Sequence, residues 1–171
     1  MFRAAIVTCL TAAILSPLTG ATAQAAPAQP APAQPATTYA RTITEVRTAT
    51  QVRTTTSMAH KILALAASEH GKPYSYGGSG PSSFDCSGFT SYVFRHFGIN
   101  LPHSAAAQYG VVHHVSKAAK RLGDLIFMYD SGGIYHVAIY AGNNEMWAAT
   151  HTGDVVRKER LYSSSYKVGR A

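Results

Sequence analysis

The sequence predicts an α+β domain in which N-terminal helices pack on an antiparallel β-sheet, and three observations predict it. Between residues 59 and 108, apolar residues recur at the three- and four-residue spacing of amphipathic helices. From Asp124 onward the pattern changes to short apolar runs of strand-forming residues. Two of these runs are joined by Gly142-Asn143-Asn144, which is a hairpin turn signal. Helices followed by hairpin-linked strands indicate the α+β class.

Three helices are predicted in the first half of the domain. The first runs from Ala59 to His70, where an apolar face is followed by a glycine that stops the helix. Residues 72–81 are rich in glycine and proline and predict a loop. The second helix runs from Cys86 to Phe97, with apolar residues at four-residue spacing. Ser104 is the expected N-cap of a third, short helix that ends at Gln108.

The second half of the domain predicts five strands. Each is a short run of β-branched, aromatic or other apolar residues bounded by turn-forming residues. These strands are Asp124–Tyr129, Tyr135–Tyr140, Glu145–Thr150, Val155–Arg157 and Tyr166–Arg170.

The N-terminus has the pattern of a secretory signal peptide over residues 1–25. Arg3 gives a positive start, Ala4–Leu15 is an apolar run, and Ala23-Gln24-Ala25 is a small-residue cleavage site. The apolar run is too short to cross a bilayer as a stable helix, so no transmembrane segment is predicted. We therefore expect a secreted protein that is extracellular or associated with the cell wall.

Residues 26–57 predict a largely disordered linker, because alternating alanine and proline followed by threonine and arginine cannot bury a core. Residues 58–171 remain, which is the usual size of one domain, and a monomer is expected.

The formal net charge is +7, and part of the excess clusters at Lys117, Lys120 and Arg121. For an exported protein this charge favours an anionic cell-wall polymer or a lipid surface over nucleic acid. Ordinary solubility is the alternative explanation of the charge.

Cys86 is the residue with the strongest chemical signal. The other cysteine of the chain, Cys9, lies inside the predicted signal peptide. A single thiol in a secreted domain is inert, paired with another chain, or used chemically. Cys86 stands where a polar turn enters a predicted helix, a setting that lowers the pKa of a thiol. We interpret Cys86 as a nucleophile.

A thiol nucleophile needs a base, and His136 is the best placed of the eight histidines. It heads an apolar strand directly after a Gly-Gly loop, where it can face the helix that carries Cys86. The alternative is a core histidine whose nitrogens are satisfied by hydrogen bonds. No histidine pair has the spacing of a zinc site together with other ligands, so we predict no metal and no cofactor.

Five motifs, in their order and spacing, resemble the NlpC/P60 family of cell-wall cysteine peptidases. They are Gly71–Gly78, Phe84–Phe89, Leu101–Ser104, Gly123–Phe127 and His136–Asn143. The resemblance implies a papain-like fold in circularly permuted order. It also implies a peptidase that hydrolyses peptide bonds in peptidoglycan stem peptides, typically between D-glutamate and a diamino acid.

The resemblance also implies roles for single residues. Cys86 matches the nucleophile and His136 the general base. Tyr74 matches a tyrosine that helps to bind substrate or to stabilise the oxyanion, and Asp85 and Ser87 match substrate contacts beside the nucleophile. Tyr74 could instead serve only loop packing, and Asp85 could be only the cap of the helix.

The chain departs from the family pattern at Ala148, where the family usually has a polar residue, most often histidine, that orients the base. Thr150 on the same strand face, His151, a backbone carbonyl or a water could replace it, although His151 could merely belong to the following loop. Tyr76 stands where the family often has tryptophan. Two other functions therefore stay open: a catalytically weakened wall-binding module, and an amidase or acyltransferase that uses the same Cys-His couple.

Overall fold

The computed structural model of the protein describes residues 57–171 and, before them, Arg47, Gln51, Arg53 and Thr54. The predicted signal peptide lies outside the described residues, as does most of the predicted linker. The four isolated residues are helical, as is Ser57. The predicted domain boundaries therefore stay predictions.

Among the described residues, three α-helices precede the sheet, as the sequence predicts. Helix α1 covers residues 57–68 among the described residues, α2 is Cys86–Arg95 and α3 is Ala105–Val111. Helix α2 ends two residues earlier than predicted. The Gly98 N–H donates to the Arg95 carbonyl (3.0 Å), and Gly98 has a positive φ of 78°, so the chain turns away at that point.

The helices are followed by a six-stranded sheet with the order β1-β6-β2-β3-β4-β5, in which every neighbouring pair is antiparallel. The α+β class and the antiparallel sheet are confirmed. The strands are β1 His113–Val115, β2 Leu125–Asp130, β3 Gly133–Gly142, β4 Glu145–Ala148, β5 Arg157–Arg160 and β6 Tyr166–Arg170. A short 3₁₀ helix, Lys117–Ala119, lies between β1 and β2.

Both outer strands differ from the prediction. Strand β1 was not predicted, because its three residues, His-His-Val, are mostly exposed and show no apolar alternation. Strand β5 begins at Arg157, and Val155 instead makes an isolated bridge with Pro73. The charged sequence of β5 has no strand pattern. It is stabilised by its pairing with β4, including an ion pair between Lys158 and Glu145 (2.9 Å).

The hairpin between β3 and β4 forms as predicted. Asn143 and Asn144 have φ of 48° and 59°, the left-handed conformation that a tight hairpin turn needs and that asparagine tolerates. Beyond the turn, Tyr140 pairs with Met146 and Ile139 with Trp147. This register determines which residues of β4 lie opposite those of β3, the strand that carries the predicted base His136.

The sheet buries side chains on both faces. One face packs against the helices, and its core includes Phe89 and Val93 of α2 together with Phe127, Val137 and Ile139 of the sheet. The other face has its own buried cluster, which contains Ile126, Met128, Ala138, Met146, Ala148, Leu161 and Val168. Helix α2 is thus held on the sheet by its apolar side, which fixes the position of its first residue, Cys86.

Candidate active site

Cys86 is the first residue of α2 and its side chain is partly buried. The backbone N–H of Val137 lies close enough to the thiol to act on its pKa and favours the thiolate, as do the N–H groups of Ser87 and Cys86. Val137 directly follows His136 on β3. The structure therefore brings the sulfur of Cys86 against the backbone of β3, next to His136.

The pKa of the Cys86 thiol is nevertheless raised above its ordinary value, mainly because burial disfavours the thiolate. The negative charge of Asp85 acts in the same direction, while the three N–H groups act against it. The position of Cys86 at the helix start predicts a lowered pKa of its thiol, and this prediction is wrong. The desolvation of a partly buried sulfur outweighs the favourable N–H groups.

His136 is buried within β3, opposite Met128 of β2, with only 3% of its surface exposed. Burial lowers its pKa to about 4, and the negative charge of Glu159 partly opposes that effect. The ring nitrogen Nε2 is buried and has no hydrogen-bond partner among the described residues. At neutral pH, both the imidazole and the thiol are therefore uncharged.

Asp85 organises the loop in front of Cys86. It is the N-cap of α2, and its carboxylate accepts hydrogen bonds from the N–H of Gly88 (2.7 Å) and of Gly77 (2.9 Å). The Ser87 hydroxyl donates to the same carboxylate (3.1 Å), and His103 Nε2 lies 2.8 and 2.9 Å from its two oxygens. The capping role proposed for Asp85 is confirmed.

Asp85 and Ser87 are both buried, and the hydrogen bonds of their side chains stay within the protein. Their roles as substrate contacts remain predictions. His103 was not singled out by sequence reasoning, because it lies 18 residues from Asp85 in the sequence. The only signal that points to it is the Leu101–Ser104 motif of the resemblance.

Tyr74 lies partly buried in the loop before α2, and its backbone N–H donates to the Asp154 carbonyl (2.8 Å). The pKa of its hydroxyl is raised first by burial, then by the negative charges of Cys86 and Asp85. The structure therefore places the hydroxyl within electrostatic reach of the thiol. This position is compatible with the predicted contact to substrate or oxyanion, which stays a prediction.

Tyr162 is a neighbour of the site that sequence reasoning missed. Burial raises the pKa of its hydroxyl to about 12, and the charges of Glu159, Tyr135 and Cys86 add to this effect. It follows the charged strand β5 and belongs to none of the five motifs. Its place beside Cys86 depends on the return of the chain after β5, which no local pattern predicts.

Position 148 provides no orienting group, because Ala148 is fully buried with a methyl side chain. The Thr150 hydroxyl instead donates to Glu159 Oε1 (2.9 Å). His151 is exposed, and its Nδ1 lies 2.9 Å from the Thr152 carbonyl, so it belongs to the loop. Among the described residues, no group of three or more His, Cys, Asp or Glu side chains could hold a metal ion.

The fold and the site together define a class of protein: an α+β domain with a cysteine at the start of a helix, beside a histidine on an antiparallel sheet. The chain belongs to the NlpC/P60 family, whose family model matches residues 71–169. The resemblance drawn from the five motifs is confirmed. In the part of the chain that the structure describes, we find no helix with the length and apolar character needed to cross a membrane.

Related sequences are described as endopeptidases, and some of them as peptidoglycan endopeptidases. The chain is 46% identical over 105 residues to the probable endopeptidase p60 of Listeria seeligeri, a match that covers 61% of this chain and 20% of p60. It is 39% identical over 102 residues to the peptidoglycan endopeptidase RipB of Mycobacterium tuberculosis, covering 52% of this chain and 42% of RipB. The chain thus spans about a fifth of the p60 relative.

Two solved structures resemble the fold. The NlpC/p60 domain of the peptidoglycan hydrolase SagA has a TM-score of 0.61 and 32% sequence identity, covering 66% of this chain and 98% of that domain. RipD of Mycobacterium tuberculosis has a TM-score of 0.58 and 31% identity, covering 66% of this chain and 95% of RipD. RipD is described as a non-catalytic NlpC/p60 protein adapted to peptidoglycan binding.

Proposed function

We propose that this chain is a secreted cysteine endopeptidase that hydrolyses peptide bonds in peptidoglycan stem peptides, at the bond between D-glutamate and a diamino acid. The observation that carries the proposal is the position of the Cys86 thiol against the N–H of Val137, directly after His136 on β3. Membership of the NlpC/P60 family and the names of the p60 and RipB relatives support the substrate class. The enzyme would act outside the cell or in the cell wall.

The neutral state of both groups suggests how the reaction begins. As the Cys86 sulfur forms a bond to the carbonyl carbon, its proton moves to the imidazole of His136, and the carbonyl π electrons move to oxygen. Backbone N–H groups at the start of α2 stabilise this oxyanion. The C–N bond then breaks, and protonated His136 gives its proton to the leaving amine. His136 next activates a water, which hydrolyses the thioester and frees Cys86.

The direct test is mass analysis of the products that the purified protein makes from defined muropeptides. The proposal expects two fragments separated at the D-glutamyl–diamino acid bond. Cleavage at a sugar–peptide amide, or transfer of the acyl group to another amine, would favour the amidase or acyltransferase alternative. Binding without any product would favour a non-catalytic module.

The non-catalytic alternative rests on one specific observation. Ala148 leaves the base without the expected orienting group, and Nε2 of His136 has no hydrogen-bond partner among the described residues. RipD offers a structural precedent for a domain of this family that binds without catalysis. Cys86 and His136 are both present in this chain, however, and the sulfur lies near the backbone N–H of Val137, the residue after His136, which favours catalysis.

Binding to anionic cell-wall polymers is a further part of the proposal, and it rests on three lysines that each cover an aromatic ring. Lys117 and Lys120 cover rings that pack on the sheet face opposite the helices, whereas Lys167 covers a ring on the helix side. Lys117 Nζ lies 4.3 Å from the centre of the Tyr166 ring, Lys120 Nζ 5.2 Å from Tyr140, and Lys167 Nζ 5.1 Å from Tyr109. None of the three lysines forms an ion pair with a described residue.

Replacing Lys117, Lys120 and Lys167 together by glutamine is expected to weaken retention on an anionic, sugar-containing polymer by about tenfold or more. The reason is the loss of three positive charges that form no ion pair with a described residue. Retention is measured by co-sedimentation at several salt concentrations, and hydrolysis of soluble muropeptides should not change. A triple variant at Lys61, Arg95 and Arg160 loses the same charge elsewhere. An equal loss in both variants would show that only net charge matters.

A further inference from the structure

The imidazole of His136 lacks the partner that a catalytic base usually has. Its Nε2 is buried and has no hydrogen-bond partner among the described residues. Ala148 occupies the position of the missing group and is fully buried among the apolar cluster on its face of the sheet. A larger polar side chain could not be added there without displacing that cluster. Whatever supports His136 must therefore come from another position.

Strand β5 brings a carboxylate to the same face of the sheet. Tyr140 pairs with Met146, and Met146 pairs with Glu159, so these three residues lie in one row across β3, β4 and β5. His136 lies four residues before Tyr140 on β3. Because side chains alternate along a strand, the two side chains lie on the same face of the sheet. The Glu159 side chain is only 15% exposed, so its charge is poorly screened by solvent.

The Glu159 carboxylate is held in place from two sides. The Thr150 hydroxyl donates to Oε1 (2.9 Å), and Thr150 continues the chain just past the end of β4. Arg157 Nη2 donates to Oε2 (3.0 Å). The carboxylate therefore has one fixed orientation, with a neutral hydroxyl on one oxygen and a cation on the other.

Several charged or titratable groups surround this part of the site. Helix α2 contributes the Cys86 thiol, β5 contributes Glu159 and Arg157, and Tyr135 and Tyr162 lie beside them. The described group whose charge raises the pKa of His136 is Glu159. Its position and its burial make it the group suited to stabilise a protonated His136.

We propose that Glu159, oriented by Thr150, is the positioning residue of His136 and replaces, from β5, the group that is missing at position 148. The inference rests on the proposed function, because it concerns the same proton transfer. When the proton of the Cys86 thiol moves to the imidazole, the new positive charge is stabilised by the Glu159 carboxylate. The carboxylate acts through His136 and does not contact the substrate.

The test compares Glu159→Gln with two matched variants, Glu145→Gln and Arg157→Gln. Glu159→Gln keeps the size and the bond to Thr150 but removes the charge. We expect kcat on a defined muropeptide to fall by about tenfold to a hundredfold with KM unchanged, because the charge is needed only after proton transfer. Glu145→Gln removes a carboxylate of β4 that pairs with Lys158 and should keep wild-type kcat.

A second readout does not depend on activity. Titration of the His136 ring by NMR should give a lower pKa in Glu159→Gln than in the wild type. Arg157→Gln should not lower it, because removing the cation leaves the Glu159 charge in place. Glu159→Asp, which keeps the charge, should recover part of kcat. Thermal melts of each variant verify folding before kinetics.

Three outcomes would overturn the inference. One is a wild-type kcat in Glu159→Gln, and another is an unchanged pKa of His136. A third is an equal loss of kcat in Arg157→Gln and Glu159→Gln, which would indicate that only the ion pair between the two side chains matters. An inactive wild-type protein would instead refute the proposed function, and the NMR titration would still decide the role of Glu159.

Discussion

Replacing Cys86 by alanine is expected to abolish cleavage of muropeptides while the fold remains intact. The expected loss is complete within detection, because no other described side chain at the site can form the thioester. The fold should persist because Cys86 is partly exposed at the helix start and α2 keeps its Asp85 cap and its buried apolar side. Mass analysis of products measures the loss, and circular dichroism checks the fold.

Cys86→Ser is the matched variant for this prediction, because it keeps the size of the side chain but offers a much weaker nucleophile. Both variants should still bind muropeptides, which calorimetry or fluorescence titration can measure. Cleavage by Cys86→Ala at the wild-type rate would contradict the mechanism. Loss of binding together with loss of cleavage would instead indicate that the substitution disturbed the substrate site.

Acidification is expected to destabilise the folded protein through His136. Its pKa in the folded state is about 4, below the ordinary value of 6.5, so the unfolded chain binds more protons between these two values. The stability contributed by the neutral buried ring is complete above pH 6.5 and is lost as the pH falls towards 4. The shift corresponds to about 3 kcal/mol of unfolding free energy.

The measurement is urea unfolding of the wild type and of His136→Gln at several pH values between 4 and 7. Glutamine does not titrate, so the difference in unfolding free energy between the two proteins should change by about 3 kcal/mol over this range. The hydrolytic activity of the folded wild type should fall only as the pH approaches 4, where the ring itself becomes protonated, because only the neutral ring can accept the thiol proton. Parallel pH dependences in the two proteins would contradict the assignment of the buried ring.

The sequence was sufficient for the parts of the fold that local patterns encode. The apolar spacing of α2, its Asp85 cap and the turn at Asn143 and Asn144 are local features, and each is found as predicted. The bounds of β5 could not be predicted: the sequence indicates a strand at Val155–Arg157, but the strand is Arg157–Arg160, whose residues are charged and whose strand structure comes from pairing with β4. Tertiary pairing determines such segments, whatever their intrinsic preference.

The sequence predicts only those site residues that lie within the five motifs. The motifs single out Cys86 and His136, whereas Glu159 lies on β5 and Tyr162 follows that strand, in a part of the chain that none of the five motifs covers. The pKa of Cys86 was predicted in the wrong direction, because the helix start is visible in the sequence and the burial of the sulfur is not. Desolvation depends on what packs against a group, which is known only once the fold is known.

The two margins of the sheet have a consequence for self-association of the protein. An outer strand presents unpaired N–H and C=O groups to which a strand of another molecule can add, and charged residues discourage such addition. Here one margin is His-His-Val and the other is Arg-Lys-Glu-Arg. The second margin also carries Glu159, so one short charged strand would both guard against self-association and support the chemistry. Substitutions that make it more apolar to increase stability should promote aggregation.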